Sequence, residues 1–297
     1  MDVPANVPLL PLKAVIYATD FSPCSENAGH YAALLAKQFD ADLLVAHAFI
    51  LTNEAMEVEA EDGVVKESKQ RKNLESALTA SATRFGAGLK RAVPILLEGD
   101  PPKQIPRLAQ ENAPSIIVLG TQGRGRVERY IVGSVAERIL RATNGPSLTV
   151  GPAAPAYETG RAPFHHLLYA TGLSPAAARG AAYAVAMAQA FDASLDVLHV
   201  VNPEDVEHPE RFKEIQKRFY EVLEDLVPRH ADAIRNPRGF VDVGTAHTRI
   251  LEHLRGFQND LLVLSIRKSS HLWLESRLSG AFHIIANAPC PVMTITA

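Results

Sequence analysis

A glycine-rich stretch, VLGTQGRGRVERYIVGSVAERIL, joins an apolar strand pattern to a helix pattern. Glycine inside a helix or strand costs roughly 0.5–1 kcal/mol relative to alanine, so a glycine cluster indicates a special backbone shape or a ligand close to the backbone. Gly120 and Gly123 follow the strand, and Gly133 with Ser134 stands at the start of the helix. Because the N–H groups and positive dipole of a helix N-terminus bind phosphate, the spacing predicts a phosphate site at Gly133 and Ser134.

A turn without a ligand is the alternative interpretation of this stretch, since glycine is the commonest turn residue. The position after a buried strand and before a helix favours binding. The chain has no Walker sequence G-x-x-x-x-G-K-[ST] and no G-x-G-x-x-G after its first strand, so the site would be of another nucleotide-binding class. Arg124, Arg126 and Arg129 would either add charge near a polyphosphate or lie solvated on the surface.

The elements that position this loop occur twice in the chain. The segment VIYATDFSPCSENAGHYAALLAKQFDADLLVAHAF matches LLYATGLSPAAARGAAYAVAMAQAFDASLDVLHVV, with Tyr17 and Tyr169 separated by 152 residues (169 minus 17). Near the end of each copy Pro146 and Pro291 are separated by 145 residues (291 minus 146). Such repetition predicts two structural units of the same type.

Each copy alternates predicted strands and helices. In the first copy we predict strands at 13–18, ADLLVAHAFI, AVPILLEG, SIIVLG and PSLTVG, and helices at SENAGHYAALLAKQF, about 66–85, DPPKQIPRLAQEN and SVAERILRAT. This alternation is typical of an α/β fold, and ligands of such sheets bind at the carboxyl ends of the strands. We therefore predict two domains, residues 1–157 and 158–297, each a parallel five-stranded sheet with helices on both faces. A Gly/Pro/Ala-rich linker at 151–163 separates them.

Composition and charge narrow the class of protein. The 297 residues include 30 basic and 33 acidic side chains, and a net charge of −3 gives no electrostatic footprint for nucleic acid. Cys24 and Cys290 lie far apart and match neither redox nor metal-binding spacings, which favours two ordinary thiols in a reducing compartment. The sequence shows no secretory signal pattern and no apolar run of about 20 residues. We expect a cytoplasmic protein that binds neither membranes nor nucleic acid.

Two histidines, His47 and His199, recur at corresponding positions of the copies. Each lies in an apolar strand, so we interpret both as core histidines with satisfied hydrogen bonds rather than as proton carriers. The other histidines show no metal-ligand spacing, and no G-x-S-x-G sequence indicates a catalytic serine. We predict no metal ligands and assign no catalytic residue.

Taken together, these segments resemble the universal stress protein family. GTQGRGRVERYIVGS fits the family pattern G-x2-G-x9-G-[ST], YATDFSPCSENA resembles its first strand and turn, and EGDPPKQI resembles a later helix start. The resemblance covers both copies, so the chain looks like a tandem protein with two UspA-like domains. It implies Rossmann-like domains of the adenine nucleotide α-hydrolase type, with an ATP site in the N-terminal copy.

The resemblance implies specific roles for residues of the first copy. Asp20, with Ala18 and Thr19 beside it, matches the acidic turn that contacts adenosine. The backbone of Ala48 matches the position that meets adenine. The ribose and phosphate loop and the phosphate-binding helix start match Leu119, Gly120, Gln122, Gly123, Gly133, Ser134 and Val135. The implied ligand is ATP, ADP or AMP, with or without Mg²⁺.

The second copy lacks most of these residues. At a separation of 152 residues, Gly172 takes the place of Asp20. At a separation of 145 residues, the glycines Gly120, Gly123 and Gly133 are replaced by Ser265, Lys268 and Leu278. Ser279 keeps the hydroxyl of Ser134. An apolar side chain where a phosphate approaches is unfavourable, so we predict a degenerate second site that does not bind ATP in the family manner. The second loop carries Arg267, Lys268, His271 and Trp273. Its tryptophan would serve as an interaction anchor or pack over the pocket.

Three functions are compatible with this sequence. The first is a stress-response regulator in which a bound adenine nucleotide alters a surface seen by a protein partner. The second is a slow nucleotide hydrolase at the same site, for which Asp20 is the only obvious carboxylate. The third is a scaffold for protein interactions with no ligand. We favour the first, and we expect the two copies to pair as a pseudo-dimer, with further homodimerisation left open.

Overall fold

The computed structural model describes residues 12–50, 60–123, 132–157, 164–173, 177–226, 235–266 and 277–296. The chain forms two compact units. The N-terminal unit comprises Leu12–Arg126 and Gly133–Asn144, and the C-terminal unit includes Gly145–Ala297. Each sequence copy therefore contributes most of one unit. The domain limits 1–157 and 158–297 stay a prediction.

The N-terminal unit alternates strands and helices, as the sequence pattern predicts. Its described elements are β1 Ala14–Ala18, α1 Pro23–Gln38, β2 Asp42–Phe49, α2 Ala60–Phe85, β3 Ala92–Glu98, α3 Pro101–Glu111, β4 Ser115–Gly120 and α4 Ser134–Ala142. The strands are parallel and lie in the order β3-β2-β1-β4. Strand β1 is buried along its whole length, because it is central and helices cover both faces of the sheet. Helix α2 begins earlier than the predicted residue 66.

The C-terminal unit repeats this pattern with one added strand. Its described elements are β5 Pro146–Val150, β6 His166–Ala170, α5 Ala177–Phe191, β7 Ser194–Val201, α6 Pro203–Val206, α7 Pro209–Leu226, β8 Arg235–Val243, α8 Ala246–Gly256, β9 Leu261–Ile266, α9 Arg277–Asn287 and β10 Val292–Thr296. Their order in the sheet is β5-β10-β9-β6-β7-β8. None of the helices in the described part of the chain has both the length and the apolar composition needed to cross a membrane.

The strand arrangement corrects the prediction of two five-stranded parallel sheets. Strand β5, the last strand of the first copy, belongs to the C-terminal unit and pairs antiparallel with β10. Val292 lies opposite Thr149, and Ile295 lies opposite Pro146. The physical reason is that an edge strand exposes unpaired N–H and C=O groups, which a second strand can satisfy from either direction. A buried apolar strand pattern does not specify which strand will be that partner.

Corresponding residues of the two copies share unusual backbone conformations, which supports the offset of 152 residues. The pairs with left-handed φ are Phe21 at 60° and Leu173 at 51°, and Asp40 at 48° and Asp192 at 51°. The Tyr17 hydroxyl donates to the carbonyl oxygen of Ser25 at 2.7 Å, and Tyr169 donates to that of Ala177 at 2.6 Å. Burial raises the pKa of Tyr17 to about 12, so its hydroxyl remains a donor at neutral pH.

The two cysteines form no disulfide. Cys290 is buried, and burial raises the pKa of its thiol above the ordinary value. Because the thiolate is the reactive form, a thiol with a raised pKa is unreactive near neutral pH. This agrees with the interpretation of Cys290 as an ordinary thiol.

A buried polar cluster surrounds Asp196 on β7. Asp196 is 1% exposed and accepts hydrogen bonds from Arg238 Nε at 2.8 Å, Arg238 Nη2 at 2.9 Å and Asn259 Nδ2 at 3.2 Å. His253 Nε2 lies 3.6 Å from Asp196 Oδ2. Burying a carboxylate costs several kcal/mol unless such partners compensate for the lost water. Removing one of these partners would therefore leave the Asp196 carboxylate buried with too few hydrogen bonds.

We expect the C-terminal unit to lose stability in acid because of Asp196. Burial by itself raises the pKa of Asp196, but the hydrogen bonds from Arg238 and Asn259, together with the nearby His253 ring, outweigh burial and hold the pKa below its ordinary value. A folded-state pKa below the unfolded one stabilises the protein above about pH 4, and this contribution is lost as the pH falls through the folded-state value. Urea unfolding between about pH 7 and about pH 3 measures the effect. The pH dependence should be smaller in Asp196→Asn, and an unchanged pH dependence would contradict this assignment.

Candidate functional site

The predicted site residues of the N-terminal unit lie at the carboxyl ends of β1 and β4. Ala18 ends β1 and pairs with Leu119 on β4, and Thr19 and Asp20 follow directly. The chain leaves β1 toward β2 and β3 on one side, whereas β4 lies on the other side of β1. The carboxyl ends of β1 and β4 therefore mark the topological switch point, where open α/β sheets bind their ligands.

The carboxylate of Asp20 lies against the glycine loop. Its Oδ1 accepts a hydrogen bond from the N–H of Ser22 at 3.0 Å. Its Oδ2 lies 2.8 Å from the position that a Cβ atom on Gly123 would take. Because residue 123 is a glycine, the Asp20 carboxylate can lie directly against the backbone of the loop. A hydrogen-bond acceptor therefore stands beside exposed backbone.

The space beside Gly120 is filled by the start of α1. A Cβ atom on Gly120 would lie 2.8 Å from the carbonyl carbon of Cys24 and 2.8 Å from the nitrogen of Ser25. Ser22, the N-cap of α1, donates through Oγ to the carbonyl oxygen of Gln122 at 3.1 Å. Gly120 thus serves helix packing, whereas the sequence suggested that both strand-end glycines admit a ligand. The difference arises because the strand end and helix start approach each other only in the folded chain.

We expect Gly120→Ala to lower the free energy of unfolding by about 1–3 kcal/mol, because the new methyl group overlaps backbone atoms of α1. Gly123→Ala should cost less than about 1 kcal/mol, because its neighbour is the end of the Asp20 side chain, which can rotate away. Urea unfolding of both variants measures the difference. Equal losses would show that α1 does not press on Gly120.

Helix α4 begins at Ser134, as the sequence predicts, and Gly133 is its N-cap. The Gly133 N–H donates to the carbonyl oxygen of Thr121 at 2.7 Å, and no described side chain caps the helix. The first N–H groups of a helix have no partner within the helix, and they carry its positive dipole end. Val135 is 47% exposed, so this helix start lies at the surface. An anion can therefore reach the amides of Ser134 and Val135.

Two buried polar atoms beside this helix start are unsatisfied. Thr121 Oγ1 and Gln122 Nε2 are buried and form no hydrogen bond with the described residues. An unsatisfied buried polar group costs about 1–3 kcal/mol. A ligand oxygen that accepts a hydrogen bond from Gln122 would recover this energy, so the amide is a candidate ligand contact.

Ala48 lies near the end of β2, opposite Leu97 on β3. Strand β1 ends at Ala18, so it no longer pairs with β2 at this level. The adjacent His47 donates from Nδ1 to the carbonyl oxygen of Thr19 at 2.7 Å. This bond ties the end of β2 to the turn that carries Asp20, which agrees with the interpretation of His47 as structural.

His199 has the same structural role in the C-terminal unit. Its Nδ1 donates to the carbonyl oxygen of Thr171 at 2.8 Å. Burial lowers the pKa of His199, so the ring is neutral near pH 7. The neutral ring supports the interpretation of His199 as a core histidine rather than a proton carrier.

Sequence reasoning missed three residues that position the site. Ser22 and Thr121 make the bonds described above, and Arg138 on α4 forms an ion pair with Asp100 at 2.8 Å. Asp100 is the N-cap residue of α3, but its side chain makes no capping bond. The Ser-Pro pair at 22–23 is a usable N-cap signal, whereas the ion pair joins residues far apart in sequence and has no local signal.

Some predicted residues lie outside the described part of the chain. These are Arg124, Arg126, Arg129, Arg267, Lys268, His271 and Trp273, together with the side chains of Leu278 and Ser279. Within the described ranges, no three His, Cys, Asp or Glu side chains are grouped so that they could hold a metal ion.

Comparisons with known proteins agree with this architecture. The profile of the universal stress protein family matches residues 11–151 and 163–296. A universal stress protein of Methanocaldococcus jannaschii is 28% identical over 152 residues, which cover 46% of this chain and 81% of the relative. A putative universal stress protein of Staphylococcus saprophyticus is 34% identical over 135 residues, or 45% of this chain and 80% of the relative.

A solved structure extends the likeness over nearly the whole chain. A universal stress protein from Archaeoglobus fulgidus superposes with a TM-score of 0.73 at 20% identity, and the match covers 96% of this chain and 98% of that one. At this identity the likeness establishes the fold alone. The two family matches together take in most of the sequence, and the chain therefore belongs to the universal stress protein family.

Proposed function

We propose that the N-terminal unit binds an adenine nucleotide, ATP first among ATP, ADP and AMP, and that the protein acts as a nucleotide-dependent regulator of the stress response. The observation that carries the proposal is a set of three polar features at the carboxyl ends of β1 and β4. It combines the Asp20 carboxylate, the unsatisfied amide of Gln122 and the uncapped start of α4. These groups are complementary to the hydroxyl donors and phosphate acceptors of a nucleotide.

Each part of the nucleotide has a candidate partner in this chain. The carboxylate of Asp20 would accept hydrogen bonds from the ribose hydroxyls, and the backbone of Ala48 would meet the base. The amides of Ser134 and Val135 at the start of α4 would hold phosphate, whose charge suits a helix N-terminus. A ligand held in this way links β1, β4 and α4. It would shift the surface offered to a partner protein to the extent that it binds two conformations with different affinity. The cytoplasmic location, partner protein and homodimer stay predictions.

Titration calorimetry of MgATP into nucleotide-free protein tests the proposal. We expect one site per chain, because the C-terminal unit has Gly172 where the N-terminal unit has Asp20. Two sites would contradict the degenerate second site, and the absence of binding would overturn the nucleotide proposal. Phosphate release by the wild type and Asp20→Asn in the same samples separates binding from hydrolysis. Equal background rates are expected for a binding protein.

A further inference from the structure

A cavity of about 850 Å³ opens at the carboxyl ends of β6, β7 and β9 in the C-terminal unit. This volume is within the range of about 300–1,000 Å³ typical of small-molecule sites. Gly172 and His199 line it, and they correspond to Asp20 and His47 of the N-terminal unit. The cavity therefore occupies the position of the candidate nucleotide site but has a different lining.

The packing beneath this cavity differs from the corresponding packing in the N-terminal unit. The Oγ of Ser265 lies 1.9 Å from the position that a Cβ atom on Gly180 would take. In the first copy Gly120 corresponds to Ser265, and Ala28 corresponds to Gly180. The second copy therefore has a side chain on the strand where the first has none, and no side chain on the helix where the first has a methyl group. The two changes compensate in volume, and the strand end and helix α5 remain closely packed. The residues that line the second site therefore differ from those of the first, whereas the close packing of β9 against α5 beneath it is kept.

The helix start at the cavity differs from its counterpart in the N-terminal unit. The sequence Asp100-Pro101-Pro102 at the start of α3 corresponds to Thr245-Ala246-His247 at the start of α8. The prolines have no N–H groups and the aspartate is acidic, whereas the α8 start offers two N–H donors and no carboxylate. Thr245 and both following residues line the cavity, and the Thr245 side chain does not cap the helix. This end of the cavity therefore presents donors for an anionic group.

Helix α7 contributes both signs of charge to the cavity. Arg211 is neutralised by Asp205 at 3.0 Å. Glu214 and Arg218, one turn apart on the same face, also line the cavity. Within the described ranges neither Glu214 nor Arg218 forms an ion pair, while their neighbours do. The described residues thus leave one cation and one anion of this cavity available to a ligand.

The rest of the lining supplies an acceptor and an apolar surface. Because Nδ1 of His199 donates to the Thr171 carbonyl oxygen, its Nε2 carries a lone pair and accepts hydrogen bonds. Burial lowers the pKa of His199, which keeps the ring neutral near pH 7. Leu264, Val201 and Ile284 provide apolar surface. A ligand that satisfies all these groups carries an anion, a charged donor and an apolar body.

We propose that the C-terminal cavity binds a small zwitterion of the amino-acid class with an apolar side chain. The carboxylate meets Arg218 and the amides at the start of α8. The ammonium group meets Glu214 and the Nε2 of His199. The side chain packs against Leu264 and Ile284. This site is separate from the proposed nucleotide site, and neither proposal depends on the other.

Titration calorimetry of the full chain with L-tryptophan, N-acetyl-L-tryptophan and L-tryptophanamide tests the zwitterion, with L-leucine as a smaller probe and L-glutamate as a polar control. We expect the free amino acids with apolar side chains to bind at one site per chain. The acetyl derivative lacks the ammonium charge and the amide lacks the carboxylate, so each should bind at least about tenfold more weakly. L-glutamate should not bind detectably. If neither tryptophan nor leucine binds at about 10 mM, or if the three tryptophan compounds bind equally, the proposal is overturned.

Charge variants on α7 assign the two contacts. Arg218→Gln should weaken L-tryptophan and N-acetyl-L-tryptophan about tenfold and leave L-tryptophanamide unchanged, while Glu214→Gln should weaken the two compounds with an ammonium group. Both side chains are exposed, so these variants should fold. Lys217→Gln and Glu221→Gln are the matched controls, because this exposed pair lies on the same helix outside the cavity lining. Equal effects in the cavity and control variants would overturn the proposal.

A nucleotide competition separates the two sites. ATP should not displace L-tryptophan, and Gly133→Leu should bind L-tryptophan with wild-type affinity. If ATP competes with the amino acid, the cavity is a nucleotide site and the zwitterion proposal is wrong. If the amino acid binds while ATP does not bind at all, the nucleotide proposal alone fails.

Discussion

Gly133→Leu is expected to bind ATP at least about 100-fold more weakly than the wild type. Leucine is the residue at the corresponding position 278 of the second copy. A Cβ atom on Gly133 would lie 3.2 Å from the carbonyl oxygen of Thr121 and 3.9 Å from the nitrogen of Gly123. The rest of the side chain would cover the start of α4 and place apolar atoms against a charged phosphate, which is unfavourable without compensation. Titration calorimetry with MgATP measures the loss.

The variant should remain folded, because Gly133 has a φ of −59° that any L-residue can adopt. Gly256→Leu is the matched control, since no heavy atom lies within 4 Å of the Cβ position at that glycine. We expect the control to keep wild-type affinity. If Gly133→Leu also binds ATP normally, the start of α4 is not the phosphate site.

Arg238→Val is expected to lower the free energy of unfolding by about 2–3 kcal/mol. The substitution removes two hydrogen bonds from Asp196, which is 1% exposed and would become a buried charge with too few partners. The loss is smaller than for a fully buried pair, because the Arg238 side chain is 48% exposed and solvent screens its charge. Urea unfolding measures the change. Arg71→Val is the control, since Arg71 is 50% exposed and its carboxylate partners are also exposed, so it should cost less than about 1 kcal/mol.

The N-terminal unit suggests a rescue for this variant. The positions that correspond to Asp196 and Arg238 hold Leu44 and Val93 in the N-terminal unit, and these two residues pair across β2 and β3 as Asp196 and Arg238 pair across β7 and β8. The double variant Asp196→Leu/Arg238→Val should therefore recover at least about half of the lost stability, since apolar residues can replace a buried ion pair. Full recovery is not expected, because the Nδ2 of Asn259 loses its acceptor. Losses that add in the double variant would show that the buried charge is not the cause.

The fold could be predicted from the sequence wherever the signal is local. The alternation of apolar strands and amphipathic helices predicted the parallel α/β class, and the repeat predicted two related units. The start of α4 at Ser134 followed from the glycine before it. The prediction failed at β5, because its apolar sequence shows that the strand is buried but does not identify the strand with which it pairs.

The candidate site also has features that the sequence could identify and features that only the folded structure shows. Asp20 and the glycine loop could be chosen from residue types and spacing, since both follow strands whose carboxyl ends share one edge of the sheet. The roles of the glycines could not, because the neighbour of Gly120 is the α1 backbone and the neighbour of Gly123 is the Asp20 carboxylate. The unsatisfied amide of Gln122 also becomes visible only when its surroundings are known.

Local patterns in the chain were thus sufficient for the α/β class, the tandem repeat, the helix start at Gly133 and the loss of acidic and glycine residues from the second copy. Three-dimensional packing was required for the pairing of β5 with β10, the cluster around Asp196 and the volume exchange between Ser265 and Gly180. The physical reason is the distance along the chain over which each kind of interaction acts. Backbone propensity and apolar periodicity act between near neighbours in the chain, whereas burial, steric contact and buried charge depend on residues that only folding brings together.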